Sequence, residues 1–147
     1  MPEHVGRSLP CPYGGAMPGD PPTLRATLPA AGLAALLGTT GVLHFVRPRP
    51  FEHLIPGPLG SARVWVLASG AAEVACAVAV AMPRTRRVGA LASAALFVAV
   101  FPGNLKMALD SRPGGPSWAS RPALAWVRLP FQVPLVAWAL AVARRSA

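Results

Sequence analysis

Acidic side chains are scarce in this chain. Five Asp+Glu stand against 14 Lys+Arg in 147 residues, and charged residues together make up only 13%. That is about half the share usual in a soluble domain. A soluble helix carries a hydrated, charged face opposite its apolar stripe, and residues 32–43 and 75–82 have no such face. The scarcity therefore excludes a soluble all-α protein. The basic excess of +9 does not indicate nucleic acid, because a nucleic-acid binder lines its basic residues along one hydrated surface. A disordered basic tail is excluded by the 53% hydrophobic content.

Cysteine is nearly absent as well. Cys11 and Cys76 make no Cys-x-x-Cys and no metal-ligand spacing, so thiol redox chemistry by this chain alone is not expected. His4, His44 and His53 include no i, i+4 pair, which leaves a helical haem or di-metal site without support. The Gly-Gly pairs at Gly14 and Gly114 lie in Pro-rich stretches and open no phosphate-binding helix. No Ser/His/Asp set is recognisable, so neither a catalytic residue nor a metal ligand is assigned.

What the chain does have is four apolar stretches long enough to cross a bilayer, which takes about 20 residues at ~1.5 Å each. They run over about residues 26–46, 64–82, 88–109 and 123–143. The expected fold is all-α, a four-helix transmembrane bundle over residues 24–147. The fourth stretch is interrupted by Arg128, Pro130, Gln132 and Pro134, so a broken or re-entrant helix is considered there. Residues 1–23 hold six of the 18 prolines and no apolar periodicity, and read as a flexible cytoplasmic tail. Both Met1 and Met17 stand as candidate start residues. The first span leads into His44-Phe45-Val46-Arg47 rather than a cleavage site, and is read as retained.

Orientation follows from where the arginines stand. Arg84, Arg86 and Arg87 fill one tight turn, and Arg144 and Arg145 end the last span. The positive-inside rule then puts both termini in the cytoplasm of a multi-pass protein of the cell membrane. Trp65, Trp118 and Trp126 fall at the opposite, outer level, where an aromatic belt belongs. Rows of small residues (Ala68, Ala72 and Cys76; Ala71, Ala75 and Ala79; Ala34 and Gly38) offer surfaces for close helix packing.

In this topology the polar side chains of the spans gather in the outer half. His44 lies within a turn of the outer end of the first span, and Glu73 about 15 Å below the outer end of the second. Asn104 and Lys106 fall within two turns of the outer end of the third, and Arg128 and Gln132 one to two turns into the fourth. Ser69 and Glu73 share a helix face, as do Arg128 and Gln132. Lys106 is expected to snorkel to the surface. An acid at this depth requires a partner, and a Glu73–Arg128 pair surrounded by Gln132, Asn104 and His44 is the expected arrangement. That pair is read either as a device fixing helix register or as part of a pocket with apolar walls and a few convergent polar groups. A third reading leaves Glu73 protonated and incidental.

Gly41-Val-Leu-His44-Phe45-Val-Arg-Pro48-Arg-Pro-Phe51, followed by Ile55-Pro56, resembles the first helix and loop of the DoxX-like membrane proteins. Ser69-Gly70-Ala-Ala-Glu73 is similar to that family's second helix. Arg84-Thr-Arg86-Arg87, Phe101-Pro102-Gly-Asn104-Leu-Lys-Met107-Ala108 and Arg128-Leu-Pro130-Phe131-Gln132 resemble its later elements in order. The likeness spans about residues 26–143. It implies a four-helix bundle, and an accessory or quinone-facing subunit of a membrane redox system, with His44, Glu73, Asn104 and Gln132 as family-like positions. The expected ligand site comprises His44, Ser69, Glu73, Asn104, Arg128 and Gln132. A quinone is the candidate cofactor. The lipid bilayer, a redox enzyme subunit and a second copy of the chain are the candidate partners, with no nucleic acid. A small-solute carrier and a structural membrane scaffold remain as alternatives.

Overall fold

Apolar runs become helices in this protein; Pro102 and Pro122 stand in the first turns of helices, whereas Pro29, Pro130 and Pro134 lie within them. The computed structural model describes residues 24–111, 113 and 121–146; the tail expected over residues 1–23 and the belt residue Trp118 lie outside them. The helices are α1 (Leu24–Val46), a short α2 (Arg49–Glu52), α3 (Ala62–Ala81), α4 (Arg86–Ala99), α5 (Phe101–Asp110) and α6 (Pro122–Arg145), with a 3-10 turn at Gly57–Leu59. No strand occurs among the described residues. The fold is all-α, and four segments are long and apolar enough to cross a membrane: Thr27–Val46, Ala62–Ala81, Arg86–Asp110 and Pro122–Arg145. Between 22% and 28% of each is buried within the protein. The remainder, including Leu28, Val42, Val64, Val78, Val98 and Val133, faces outward. An outward surface this apolar is stable in hydrocarbon and not in water, and the chain is a multi-pass membrane protein.

The break falls in the third span rather than the fourth. α4 ends at Ala99, Val100 turns with its N–H on Leu96 O at 3.0 Å, and α5 begins at Phe101 with Pro102 in its first turn. Proline is tolerated there because first-turn N–H groups have no intrahelical acceptor. α6 runs unbroken through Pro130 and Pro134. These stand one helical turn apart and both are exposed, so their rings share an outward face and the inward hydrogen-bond ladder survives.

The four spans form a ring in which α3 lies between α1 and α4, and α6 packs on α4 and α5 and closes against α1. At one end, here the turn end, α3 passes into α4 through four residues. Thr85 Oγ1 donates to Ala79 O at 2.8 Å and Arg86 Nε to Val80 O at 3.1 Å, satisfying carbonyls that the end of α3 leaves open. The main core fills this half: Leu33 and Leu37 of α1, Ala77 and Val80 of α3, Ala90 and Ala94 of α4, and Ala139 and Val142 of α6. Trp138 of α6 ties to α1 through Nε1–H on Pro29 O at 3.1 Å, its ring lying over Gly32. At the opposite, loop end, Met107 and Ala108 of α5 pack with Ala125 of α6 in a smaller core capped by Leu54 and Leu129. The segment joining α1 to α3 folds over this end and is pinned by Lys106 Nζ on His53 O at 3.2 Å. Lys106 also pairs with Asp110.

α1 and α3 approach most closely through two glycines. A Cβ on Gly41 would stand 2.9 Å from Gly70 O, and one on Gly70 would stand 3.0 Å from Gly41 O and 2.7 Å from His44 Cβ. The alanine rows expected to pack helices are divided by this crossing. Gly70, Cys76 and Ala77 face inward, whereas Ala68, Ala71 and Ala75 are exposed.

Gly70→Ala should therefore force α1 and α3 apart and destabilise the bundle by about 1–3 kcal/mol, the usual cost of overpacking. Gly57→Ala meets nothing within 4 Å and should be neutral. Thermal unfolding of both variants in detergent, followed by circular dichroism, measures the contrast.

Candidate functional site

The glycine crossing sets the position of the two ionisable side chains that α1 and α3 carry inward. His44 stands one turn beyond Gly41, and Glu73 one turn beyond Gly70, about 16 Å from the start of α3. His44 Nδ1 lies 2.7 Å from Thr40 O. A carbonyl can only accept, so Nδ1 carries the proton, and Nε2 is the ring's acceptor while the imidazole is neutral. Glu73 Oε2 lies 3.7 Å from the same Nδ1. The Thr40 hydroxyl borders the carboxylate, while itself lying 3.0 Å from Leu36 O. Phe51, carried by α2, stacks on the imidazole with ring centroids 4.0 Å apart and planes 21° from parallel. His44 and Glu73 side chains are 11% and 12% exposed. Glu73 Oε2 is buried and accepts no hydrogen bond.

A second polar group joins the other two helices. Gln132 of α6 is buried; its Nε2–H donates to Phe97 O just before the break in the third span. Its Oε1 accepts from Asn104 Nδ2 at 2.8 Å. A glutamine placed this way uses both ends of its amide to hold α4 and α5 on α6. Arg128, one turn nearer the loop end, reaches Met107 Sδ at 3.8 Å.

The expected convergence of six residues thus resolves into two groups. His44 and Glu73 come together on α1 and α3, and Asn104, Gln132 and Arg128 gather on α5 and α6. The expected Glu73–Arg128 pair does not form. The carboxylate sits against His44, on the helix that the Gly41–Gly70 contact brings closest to α3. α5 packs chiefly on α6, which draws Arg128 toward Met107. Ser69, one turn before Glu73, makes none of these contacts. The prolines of the fourth span, which suggested a break there, free no acceptor that any of these contacts uses. The acceptor used lies beside the α4–α5 break, and Gln132 occupies it. Thr40 and Phe51 are additions to the expected set. Thr40 was detectable as the residue four before His44 on the same face. Phe51 was not, since stacking from a loop leaves no periodic signal.

Among the described residues, no group of three or more His, Cys, Asp or Glu side chains could hold a metal ion. Cys76 is a buried free thiol among the packing residues of α3.

Replacing Gln132 with Leu strands the Phe97 carbonyl and the half-buried Asn104 amide and should cost about 1–3 kcal/mol, the penalty of unsatisfied polar groups inside a protein. Adding Asn104→Leu should then cost much less than it does alone, because the partner is already gone. Unfolding free energies of the two single variants and the double variant give the coupling directly.

No curated protein and no solved structure matches the chain. A family model described as a domain of unknown function, DUF8561, matches residues 33–143. That stretch begins within the first span, ends within the last, and contains every residue of both polar groups; the chain belongs to the DUF8561 family.

Proposed function

We propose that this protein is a quinone-facing accessory subunit of a membrane redox system, with the head group received at His44 and Glu73. The observation that carries this reading is Glu73 Oε2, a buried carboxylate oxygen without a hydrogen bond, beside an imidazole whose Nε2 is uncommitted. Both atoms are acceptors, so together they suit a ligand that brings donors. A quinol supplies two O–H groups on a flat ring, attached to a tail that remains in lipid. Oxidation of a quinol releases two protons and two electrons. His44 Nε2 and Glu73 Oε2 are the atoms on this chain that take up protons, and the redox subunit it accompanies takes the electrons. Phe51, already stacked on His44, offers an apolar wall for a flat head group.

Two further features support an accessory role. Ala68, Ala71 and Ala75 leave a small-residue surface on the outside of α3, suited to close contact with a helix of a partner subunit or a second copy. Arg84, Arg86, Arg87, Arg144 and Arg145 stand at the turn end, which favours a cytoplasmic placement of that end in the cell membrane.

Glu73→Gln keeps the shape and removes the proton acceptor. In membranes expressing this protein with its redox partner, the variant should lower quinol-dependent electron transfer at least tenfold while the protein level stays unchanged. Unchanged electron transfer overturns the reading. Loss of solute flux in proteoliposomes without any change in electron transfer would identify a carrier, and lost assembly alone a scaffold.

A further inference from the structure

The two ends of the bundle treat their charges differently. At the loop end, arginine and lysine meet acids: Arg63 stands 3.9 Å from Glu52, and Lys106 pairs with Asp110. At the turn end, Arg84 stands in the turn between α3 and α4, Arg86 and Arg87 begin α4, and Arg144 and Arg145 finish α6. No acidic residue is found at this end among the described residues. α4 and α6 run antiparallel and are packed together through Ala90, Ala139, Val142 and Ala143, so their arginine-bearing ends are neighbours. Arg86 is committed to the carbonyls of Val80 and Ala81. Arg84, Arg87, Arg144 and Arg145 are exposed.

We infer that this end is a binding surface for anionic phospholipid headgroups, with Arg84, Arg87, Arg144 and Arg145 as the residues that hold the phosphates. Guanidinium groups pair with phosphate oxygens in a two-pronged geometry. Here they cluster without internal counter-charges at the level where a spanning helix leaves the hydrocarbon. Their positions at the ends of α4 and α6 put them beside acyl chains as well as headgroups, because Val88, one residue past Arg87, is exposed and apolar. A lipid satisfies both requirements at once, its phosphate on the arginines and its chain on that outward surface. Free phosphate satisfies only the first. Binding at this surface ties α4 to α6 across the main core and is independent of the His44–Glu73 site.

The test uses the full chain in nanodiscs of phosphatidylcholine, with and without phosphatidylglycerol. Spin-labelled phosphatidylglycerol should be retained at the protein surface in preference to spin-labelled phosphatidylcholine, and its presence should raise the unfolding temperature. Replacing Arg84, Arg87, Arg144 and Arg145 with Gln should abolish both effects. Each single replacement should weaken retention by up to roughly fivefold, the contribution of one basic residue near an anionic surface. Arg47→Gln with Arg49→Gln, at the loop end, should leave retention unchanged. Circular dichroism checks that each variant keeps its helices. Equal retention of the two lipids by the wild type overturns the inference, and this arm needs no variant to fold. Retention that persists in the fourfold variant, or that falls equally in the loop-end variant, overturns it as well. An equal rise in unfolding temperature on adding inorganic phosphate to pure phosphatidylcholine discs would assign the surface to a free anion instead.

Discussion

Backbone contact between Gly41 and Gly70 is the constraint on which the placement of the ionisable groups depends. In hydrocarbon, apolar side chains gain nothing by leaving lipid for one another, so helices associate where backbones can approach and pack closely. The carbonyl of each glycine stands within about 3 Å of where a Cβ on the other would lie. The helices run antiparallel, so His44 comes level with Gly70 and Glu73 with Gly41, and the close approach lays an imidazole beside a carboxylate in a setting that lipid could not solvate. A burial that is costly for either group alone becomes tolerable for the two together. With a wider helix separation, Glu73 would lose the neighbour it has in His44.

The third span solves a different problem. A continuous helix there would have satisfied its own backbone and left Gln132 facing a closed surface. The break after Ala99 exposes a carbonyl to α6 inside the bundle, where unsatisfied polar groups are expensive. Gln132 covers it and passes the interaction on to Asn104. The two halves of the bundle consequently cohere by different means. The turn half is a closely packed apolar core of Leu, Val and Ala. The loop half has a small apolar core supplemented by amide hydrogen bonds and the strap that Lys106 pins through His53 O.

Much of this was legible in the sequence, for a specific reason. Runs without charge have only one stable form in lipid, so the four spans fell within a few residues of their observed bounds. The depth of each polar residue followed from counting along a helix. Partnership did not. Depth fixes how far Glu73 lies from the end of α3 but not which neighbour it faces, and arginine is the obvious candidate when only charge is weighed. The deciding signal was a pair of glycines, visible in the sequence but without a partner until the crossing of α1 and α3 is known. The prolines misdirected attention for a related reason. Two of them in α6 suggested a break where their shared outward face preserves the helix, while one in α5 marked the break that occurs.

The separation of the polar residues into two groups also bears on what kind of site the bundle can hold. A single convergent pocket would have presented Arg128 to a ligand and favoured anions. With Arg128 reaching Met107 and Gln132 spent on Phe97 and Asn104, the span residue left with a buried oxygen that accepts no hydrogen bond, among the described residues, is Glu73 beside His44. Phe51 stacks on the imidazole from outside the spans, so the segment that folds over the loop end of the bundle also covers this pair.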